Sequence, residues 1–525
     1  MLVVLAAPYL PRRPQETVLY ELVKTHWSDF VEHARGAYEA PLPKYVRDEV
    51  RGYLACGDFS RGFVHTTCTT CSRDLLVAFS CKQRGLCPSC AGRRMAAGAA
   101  HLVDRILPSA PVRQYVLSFP YELSGLAAIR PDVLTALSRI FWQALRLRYR
   151  RWAKGAGYSS SEAGAVTGVQ RFGSSLNVHV HFHLLALDGV YVKEQGGLRF
   201  VPAPPPVPGE LLAMLVRIHK RAMKWLSRRG YLRDPDASNA APELGVAEAL
   251  TAAGAQQGRL VTMSEEGGEQ EVQERGARPA EEAVTHERFN LHAGVVLAAD
   301  DDMGRERLCR YLLRPPFALS RIRVLRDGNV SYRVKKVGRR QAKHRVMTPV
   351  EFLARLCALV PPPRYPLLRF AGVLAPRHEW RARVVPQPPE LPSAPPRCSA
   401  DCGATEHRPL PKREPPVATG DGACAFAVPE ALPTQTLTES GHAERAGPNI
   451  LSVAHWQRLL GGELYASSSR VDWATLLKRT WGTDVRVCVR CGGRLVVRAV
   501  VTDPHSVGKL LTALRRSRDP PLAAA

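Results

Sequence analysis

Residues 178–187 read Val-His-Val-His-Phe-His-Leu-Leu-Ala-Leu, and this stretch decides the class of fold. His179, His181 and His183 alternate with Val180 and Phe182. A β-strand turns successive side chains to opposite faces, so the three imidazoles share one face. A lone strand histidine is usually a satisfied core residue. Several on one face make a metal site, whose open positions polarise a carbonyl or phosphoryl oxygen. Working outward, Ala165–Phe172 reads as a preceding strand, and Asp188 and Gly189 turn the chain into a return strand from Val190. Val112–Phe119 is a strand stopped by Pro120. Pro131–Lys154 is a long helix whose basic end carries Tyr149, Arg150, Arg151 and Trp152. Gly209–Arg229, Arg305–Leu313 and Pro349–Leu359 read as helices, and Val330–Val337 as a strand. Strands joined by short turns, with helices between, predict an α+β fold of antiparallel sheet flanked by helices.

The first hundred residues differ in kind. Helices over Leu19–Glu39 and Lys44–Cys56 lead into a cysteine cluster, and a third helix, Arg93–Ile106, follows it. Cys68-x2-Cys71 and Cys87-x2-Cys90 are two paired-thiol knuckles. Each knuckle places two thiolates on one side of an ion, so together they predict one closed, structural zinc site. Cys81 lies between them as a spare thiol or a replacement ligand. Arg93 and Arg94 after the second knuckle could meet phosphate or form a solvated helix face. Cys488-x2-Cys491 resembles half of a zinc ribbon, with Cys398, Cys402 and Cys424 its nearest partners in sequence; the other reading is a tight turn with buried thiols.

Charge sets the partner. The 525 residues carry 73 basic and 48 acidic side chains, a net +25, with a pI near 9.9. Such an excess calls for a polyanion, and nucleic acid is the default. No apolar run approaches the roughly 20 residues of a membrane span. Met1–Leu10 lacks the basic segment and cleavage site of a signal peptide, and 13 cysteines, an odd number, argue for metal ligation in a reducing cytoplasm. Residues 234–282 are rich in Ala, Gly and Glu and read as a flexible insertion; residues 386–449 begin with a proline-rich linker. The expected organisation is a helical and zinc-ribbon DNA-binding domain over 1–107 and a nuclease domain over 108–385. The linker and a small C-terminal region over 450–525 follow.

The segment Leu308 to Arg321 places Tyr311 on a short helix ended by Pro315 and Pro316, among Arg305, Arg307, Arg310, Arg314 and Arg321. Tyrosine with a histidine pair is the equipment of HUH single-strand endonucleases. In these a hydrophobic residue separates two metal-binding histidines and a helix-borne tyrosine attacks phosphate. Here the chain resembles the zinc-ribbon rolling-circle transposases of the insertion-sequence-ninety-one and common-region group. The matching stretches are Ala78–Lys82, Cys87–Cys90, Arg93–Met95, Gln170–Gly173, Leu187–Tyr191, Asn290–Gly294, Cys309–Tyr311, Arg314–Pro316 and Cys488–Gly493.

The resemblance implies a ferredoxin-like or RRM-like nuclease sheet and rolling-circle transposition through a 5′-phosphotyrosine. It places the histidine pair on His181 and His183, with Phe182 between, and the nucleophile on Tyr311. His179 takes a position where the family often has Asn. Arg307 stands where some members carry a second tyrosine, so the chain looks like a single-tyrosine member. The expected catalytic ion is Mg²⁺ or Mn²⁺. For its third ligand Gln170 ranks first, then His179 and His292. Expected DNA contacts are Arg93, Arg94, Arg150, Arg151, Trp152, Arg314, Lys335 and Lys336, with Tyr149 and Trp152 as stacking platforms. The partners would be single- and double-stranded DNA at the ends of a mobile element, in a bacterial cytoplasm at the nucleoid. Competing readings are a plasmid replication initiator or relaxase with the same chemistry, a non-catalytic zinc DNA-binding protein, and a small-molecule metal hydrolase. The last is disfavoured by the charge and by the lack of further ligand motifs.

Overall fold

The computed structural model describes residues 13–232, 245–255, 260–263, 269–271, 283–334, 343–387, 473–481, 483–515 and 522–524. The fold is α+β. Its centre is a six-stranded antiparallel sheet in the order Ala283–His286, Phe289–Leu297, Val112–Ser118, Val178–Leu187, Gly164–Phe172 and Leu368–Gly372. The histidine strand lies in the interior of the sheet, and both of its faces are covered. On one face Phe182, Leu184 and Ala186 join the main core with helices Val18–Tyr38, Tyr121–Ile129, Pro131–Gly155, Pro208–Arg228 and Pro349–Leu359. On the other, Leu185 and Leu187 pack with Leu308, Cys309 and Leu312 of helix Asp302–Leu312 and with Ala99 and Leu102 of helix Pro88–Arg105. Double burial explains why alternation lapses after His183, where four consecutive positions are apolar.

A buried ion pair fixes the end of this strand. Arg113 grips Asp188 through two hydrogen bonds of 2.9 and 2.8 Å, and the Tyr149 hydroxyl donates to the same carboxylate at 3.3 Å. Asp188, which the sequence suggested only as a turn residue, is therefore a core partner. Burial, with the neighbouring Tyr115 and Asp188, pushes the Tyr149 hydroxyl well above its ordinary range. Asp188→Ala leaves a guanidinium uncompensated in the interior, and urea unfolding should show a loss of about 3–5 kcal/mol. A loss below about 1 kcal/mol would mean that water reaches the pair.

The insertion over 234–282 contains more structure than its composition suggested. Within its described residues, helix Val246–Ala255 buries Leu250, and Gly254 approaches helix Pro349–Leu359 so closely that a Cβ would stand 2.3 Å from Ala358. Strands Leu260–Met263 and Glu269–Glu271 extend a second antiparallel sheet built on Lys343–Met347, Val330–Arg333 and Ile322–Val324. Small side chains permit this close packing, which compositional bias does not reveal. Residues 388–449 of the expected linker lie outside the described residues, as do Cys398, Cys402 and Cys424.

The C-terminal region does not form a separate sheet. Leu495–Val501 pairs antiparallel with Phe63–Cys68, which pairs with Asp74–Ala78. Among the described residues no helix is long and apolar enough to cross a membrane.

Candidate active site and metal centres

Strand pairing assembles the histidine face. Ser118, His181 and Gln170 stand in one row, and Val116, His183 and Gly168 in the next. The ring centroids of His179 and His181 are 5.5 Å apart, and those of His181 and His183 are 5.0 Å apart. Burial pushes His181 down to about 3, helped by the charges of His183 and His179. It pushes His183 down to about 4, with Arg314 adding to the effect. Both imidazoles are therefore neutral near pH 7, the state that binds metal.

Each ring is oriented by its Nδ1. Nδ1–H of His181 donates to the carbonyl of His179 at 3.1 Å, leaving Nε2 as a lone pair. The Gln114 amide lies 2.9 Å from Nδ1 of His183. The atom placed there is the amide nitrogen, Nε2; a half-turn of that amide puts its oxygen on Nδ1, so that His183 donates and its own Nε2 is left as a lone pair. Nε2 of His183 is buried without a protein partner. An orphaned buried nitrogen beside a second oriented imidazole fits a divalent cation. His179 takes a different partner: its Nδ1 lies 3.3 Å from Ser124 Oγ.

Tyr311 comes to this face on helix Asp302–Leu312. Asp301 caps the helix start by accepting from the Gly304 N–H at 2.8 Å. Prolines 315 and 316 follow its end, where they cannot continue it. Gly168 lets the helix approach the sheet, because a Cβ there would stand 2.4 Å from Leu312 Cδ1. Tyr311 is 39% exposed, and its ring centroid lies 5.4 Å from that of His183.

Gln170, the first choice as third ligand, is already engaged elsewhere. Its Nε2 donates to the carbonyls of Tyr311 and Leu312 at 2.9 and 3.2 Å, and its Oε1 accepts from Arg314 Nε at 3.3 Å. The amide meets the carbonyls at the helix end, where intrahelical donors run out. These bonds tie Gln170 to the end of the helix that carries Tyr311. Gln170→Ala should loosen the end of that helix, raising amide exchange in 302–312, with divalent-ion affinity unchanged in a titration. A parallel loss of metal affinity would return Gln170 to the ligand set. His292 lies two strands from His183, across Val116.

The arginines around Tyr311 divide. Arg314 lies over its ring, 4.6 Å from the centroid, and 5.2 Å from that of Phe172. Arg307 is exposed one turn before Tyr311. Arg305 is buried and donates to the carbonyls of Leu107 and Pro108, at 3.1 and 2.5 Å. Arg310 pairs with Glu306.

The expected DNA contacts do not form one surface. Arg150 and Arg151 are exposed at the end of helix Pro131–Gly155, across the sheet from the histidines, and Trp152 is half-buried against the core. Tyr149 is fully buried and cannot stack on a base. Arg94 donates to the Lys82 carbonyl at 2.9 Å, and Arg93 lines a cleft of about 1000 Å³ beside Trp473 and Trp481. Lys335 and Lys336 lie outside the described residues.

The two knuckles do not share one ion. Cys87 and Cys90 converge with Cys56 and Cys81, while Cys68 and Cys71 converge with Cys488 and Cys491; the sulfurs of each set lie within 4.8 Å of one another. Cys68 ends one strand of a hairpin, and the return strand Asp74–Ala78 carries the chain away from it. Five residues at about 3.3 Å each put the second knuckle far beyond reach of the first ion. In the first set Cys56–Cys90, Cys56–Cys87 and Cys81–Cys90 are separated by 3.9, 3.6 and 3.4 Å. Four thiolates at about 2.3 Å around a tetrahedral zinc stand about 3.8 Å apart, so the set fits structural zinc. Cys81 is thus a member of the set, and Cys56, on no recognisable knuckle, is the ligand that spacing missed.

Comparison with known families gives two matches. A transposase zinc-binding domain of the insertion-sequence-ninety-one type matches residues 22–119. A family described as "Putative transposase" matches residues 164–381, which hold the histidines and Tyr311. Searches of curated proteins and of solved structures gave no match. The first match covers the cysteine-bearing helical region and strand Val112–Ser118, and the second the other five strands of the central sheet and the helix laid on its histidine face. With both in one chain, the two matches support an insertion-sequence-ninety-one-like transposase, a DNA-processing enzyme whose cysteine clusters suit structural zinc.

Proposed function

We propose that this transposase moves DNA by a rolling-circle route, nicking and rejoining single strands through a phosphotyrosine on Tyr311. The observation that carries the reading is the placement of Tyr311, half-exposed, beside an imidazole whose buried Nε2 has no protein partner. The Tyr311 oxygen attacks the scissile phosphorus, a Tyr–O–P bond forms, and the bond from phosphorus to the 3′ oxygen breaks. The tyrosine loses its proton and the departing 3′ oxygen gains one. The products are a 5′-phosphotyrosine and a free 3′-hydroxyl. Because the phosphodiester becomes a phosphotyrosine ester, a later 3′-hydroxyl reverses the step and joins strands without ATP.

His181 and His183 would hold Mg²⁺ or Mn²⁺, which supplies Lewis-acid stabilisation of the phosphate oxygens. Arg314, held by Gln170 over the tyrosine ring, offsets phosphate charge from the protein side. Gln170 and Leu312 fix the helix so that the nucleophile is already oriented. The substrate is single-stranded DNA at the ends of a mobile element, and the zinc module is the part suited to duplex or hairpin DNA.

The test mixes the full chain with labelled single strands from the DNA flanking its gene, in Mg²⁺ or Mn²⁺. A denaturation-resistant protein–DNA adduct, with a free 3′-hydroxyl on the released fragment, is expected. Tight binding of those strands with no adduct on any of them would overturn the reading.

A further inference from the structure

Cys488 and Cys491 lie outside both family matches and more than 100 residues beyond the end of the nearer one. They meet the N-terminal knuckle in detail. Cys68 and Cys491 sulfurs are 3.5 Å apart, and Cys71 and Cys488 sulfurs are 3.7 Å apart, close to the tetrahedral spacing. The Thr70 and Gly493 N–H groups each donate to a cysteine sulfur, of Cys68 and Cys491, at 3.4 Å. Gly492 adopts φ +72°, and a Cβ on Gly493 would stand 3.0 Å from Cys68 Sγ. The Thr69 N–H donates to the Arg494 carbonyl at 2.9 Å, where the two strands begin their pairing.

The same C-terminal segment reaches the nuclease. Leu476 of helix Trp473–Trp481 packs on Ala96, Ala97 and Ala100 of helix Pro88–Arg105. From that helix Arg479 donates to Asp104 at 2.8 and 3.2 Å and to Glu306 at 2.8 Å. Asp104 belongs to the zinc-module helix and Glu306 to the tyrosine helix. All three side chains are at most 16% exposed. Gly98 completes the contact, since a Cβ there would stand 2.6 Å from Leu313 Cδ1.

We propose that Cys68, Cys71, Cys488 and Cys491 hold a second zinc ion, which staples the C-terminal segment to the zinc module and so delivers Arg479 to Asp104 and Glu306, making Arg479 a positioning residue for the tyrosine helix. The ion stabilises an association between chain ends more than 400 residues apart in sequence. Without Arg479, Asp104 and Glu306 lose the cation that bridges their two helices, and Glu306 keeps Arg310 of its own helix. The positioning role rests on Tyr311 as nucleophile; the metal site does not.

Metal analysis of the full chain tests the site directly. Two zinc ions per chain are expected, and one in the Cys488→Ser/Cys491→Ser variant, whose remaining ion reports that the first set is still folded. Proteolysis of that variant should release the C-terminal segment faster than from the wild type. One zinc in the zinc-replete wild type, or two in the variant, overturns the staple. Arg479→Ala should keep both ions and unchanged affinity for single strands. Amide exchange in 302–312 should rise, and adduct formation at saturating DNA should fall about tenfold or more. Unchanged exchange in that helix overturns the positioning role. A wild type that forms no adduct rejects the nicking reading alone, because the zinc count and the exchange data still decide this one.

Discussion

Tyr311→Phe should abolish the covalent protein–DNA adduct, lowering strand cleavage by roughly 10⁴-fold or more, while single-strand binding and zinc content stay unchanged. The substitution removes one oxygen and keeps the ring, so Arg314 retains the face it lies over and His183 its edge-on neighbour. Among the described residues no other tyrosine is placed to substitute. Tyr332 is 1% exposed in the second sheet, and burial raises its hydroxyl above the ordinary range despite the nearby Arg321 and Arg314. The residue one turn before Tyr311 is Arg307, which offers no nucleophile. Electrophoresis under denaturing conditions with labelled DNA measures the adduct. Its persistence in the variant would remove Tyr311 from the mechanism.

His181→Ala and His183→Ala should each weaken divalent-ion binding and reduce cleavage by about 10²–10⁴-fold, with single-strand affinity in the absence of the ion little changed. Manganese titration and single-turnover cleavage separate the two effects. Burial also sets the pH behaviour. Two ordinary imidazoles with pKa near 6.5 would lose about 100-fold in metal affinity between about pH 7.5 and pH 5.5, as protons displace the ion. Here the folded values lie near 3 and 4, so affinity should stay nearly flat over that interval. The metal-free fold bears the opposite consequence. The unfolded chain takes up these protons near pH 6.5 and the folded chain does not. The stability contribution of the pair is therefore full above that pH and lost progressively as pH falls towards 4. A steep loss of metal affinity around pH 6.5 would mean that the imidazoles open to water.

Much of this was legible along the chain because it is local. Alternation placed His179, His181 and His183 on one strand face, and the prolines after Leu313 ended the tyrosine helix where the structure ends it. Gln170 shows the limit. Its place on the strand before the histidines suggested a ligand, and the register does set it beside His181, but the carbonyls of a helix more than 130 residues away claim its amide. Tyr149 shows another: a basic helix end reads as a DNA surface, yet its tyrosine turns inward to Asp188 and Tyr115.

The sequence by itself determined the α+β class, the histidine strand, the tyrosine helix and the presence of thiolate metal sites, since periodicity, helix stops and knuckle spacing act within a few residues. Only the tertiary structure decided which cysteines converge, what holds Tyr311 against the sheet, and that the C-terminal segment reaches Glu306 through Arg479. Tetrahedral ligation and buried ion pairing depend on distance in space. A hairpin that carries Cys87 away from Cys71, and a strand that brings Cys491 to Cys68, are consequences of packing that no local pattern encodes.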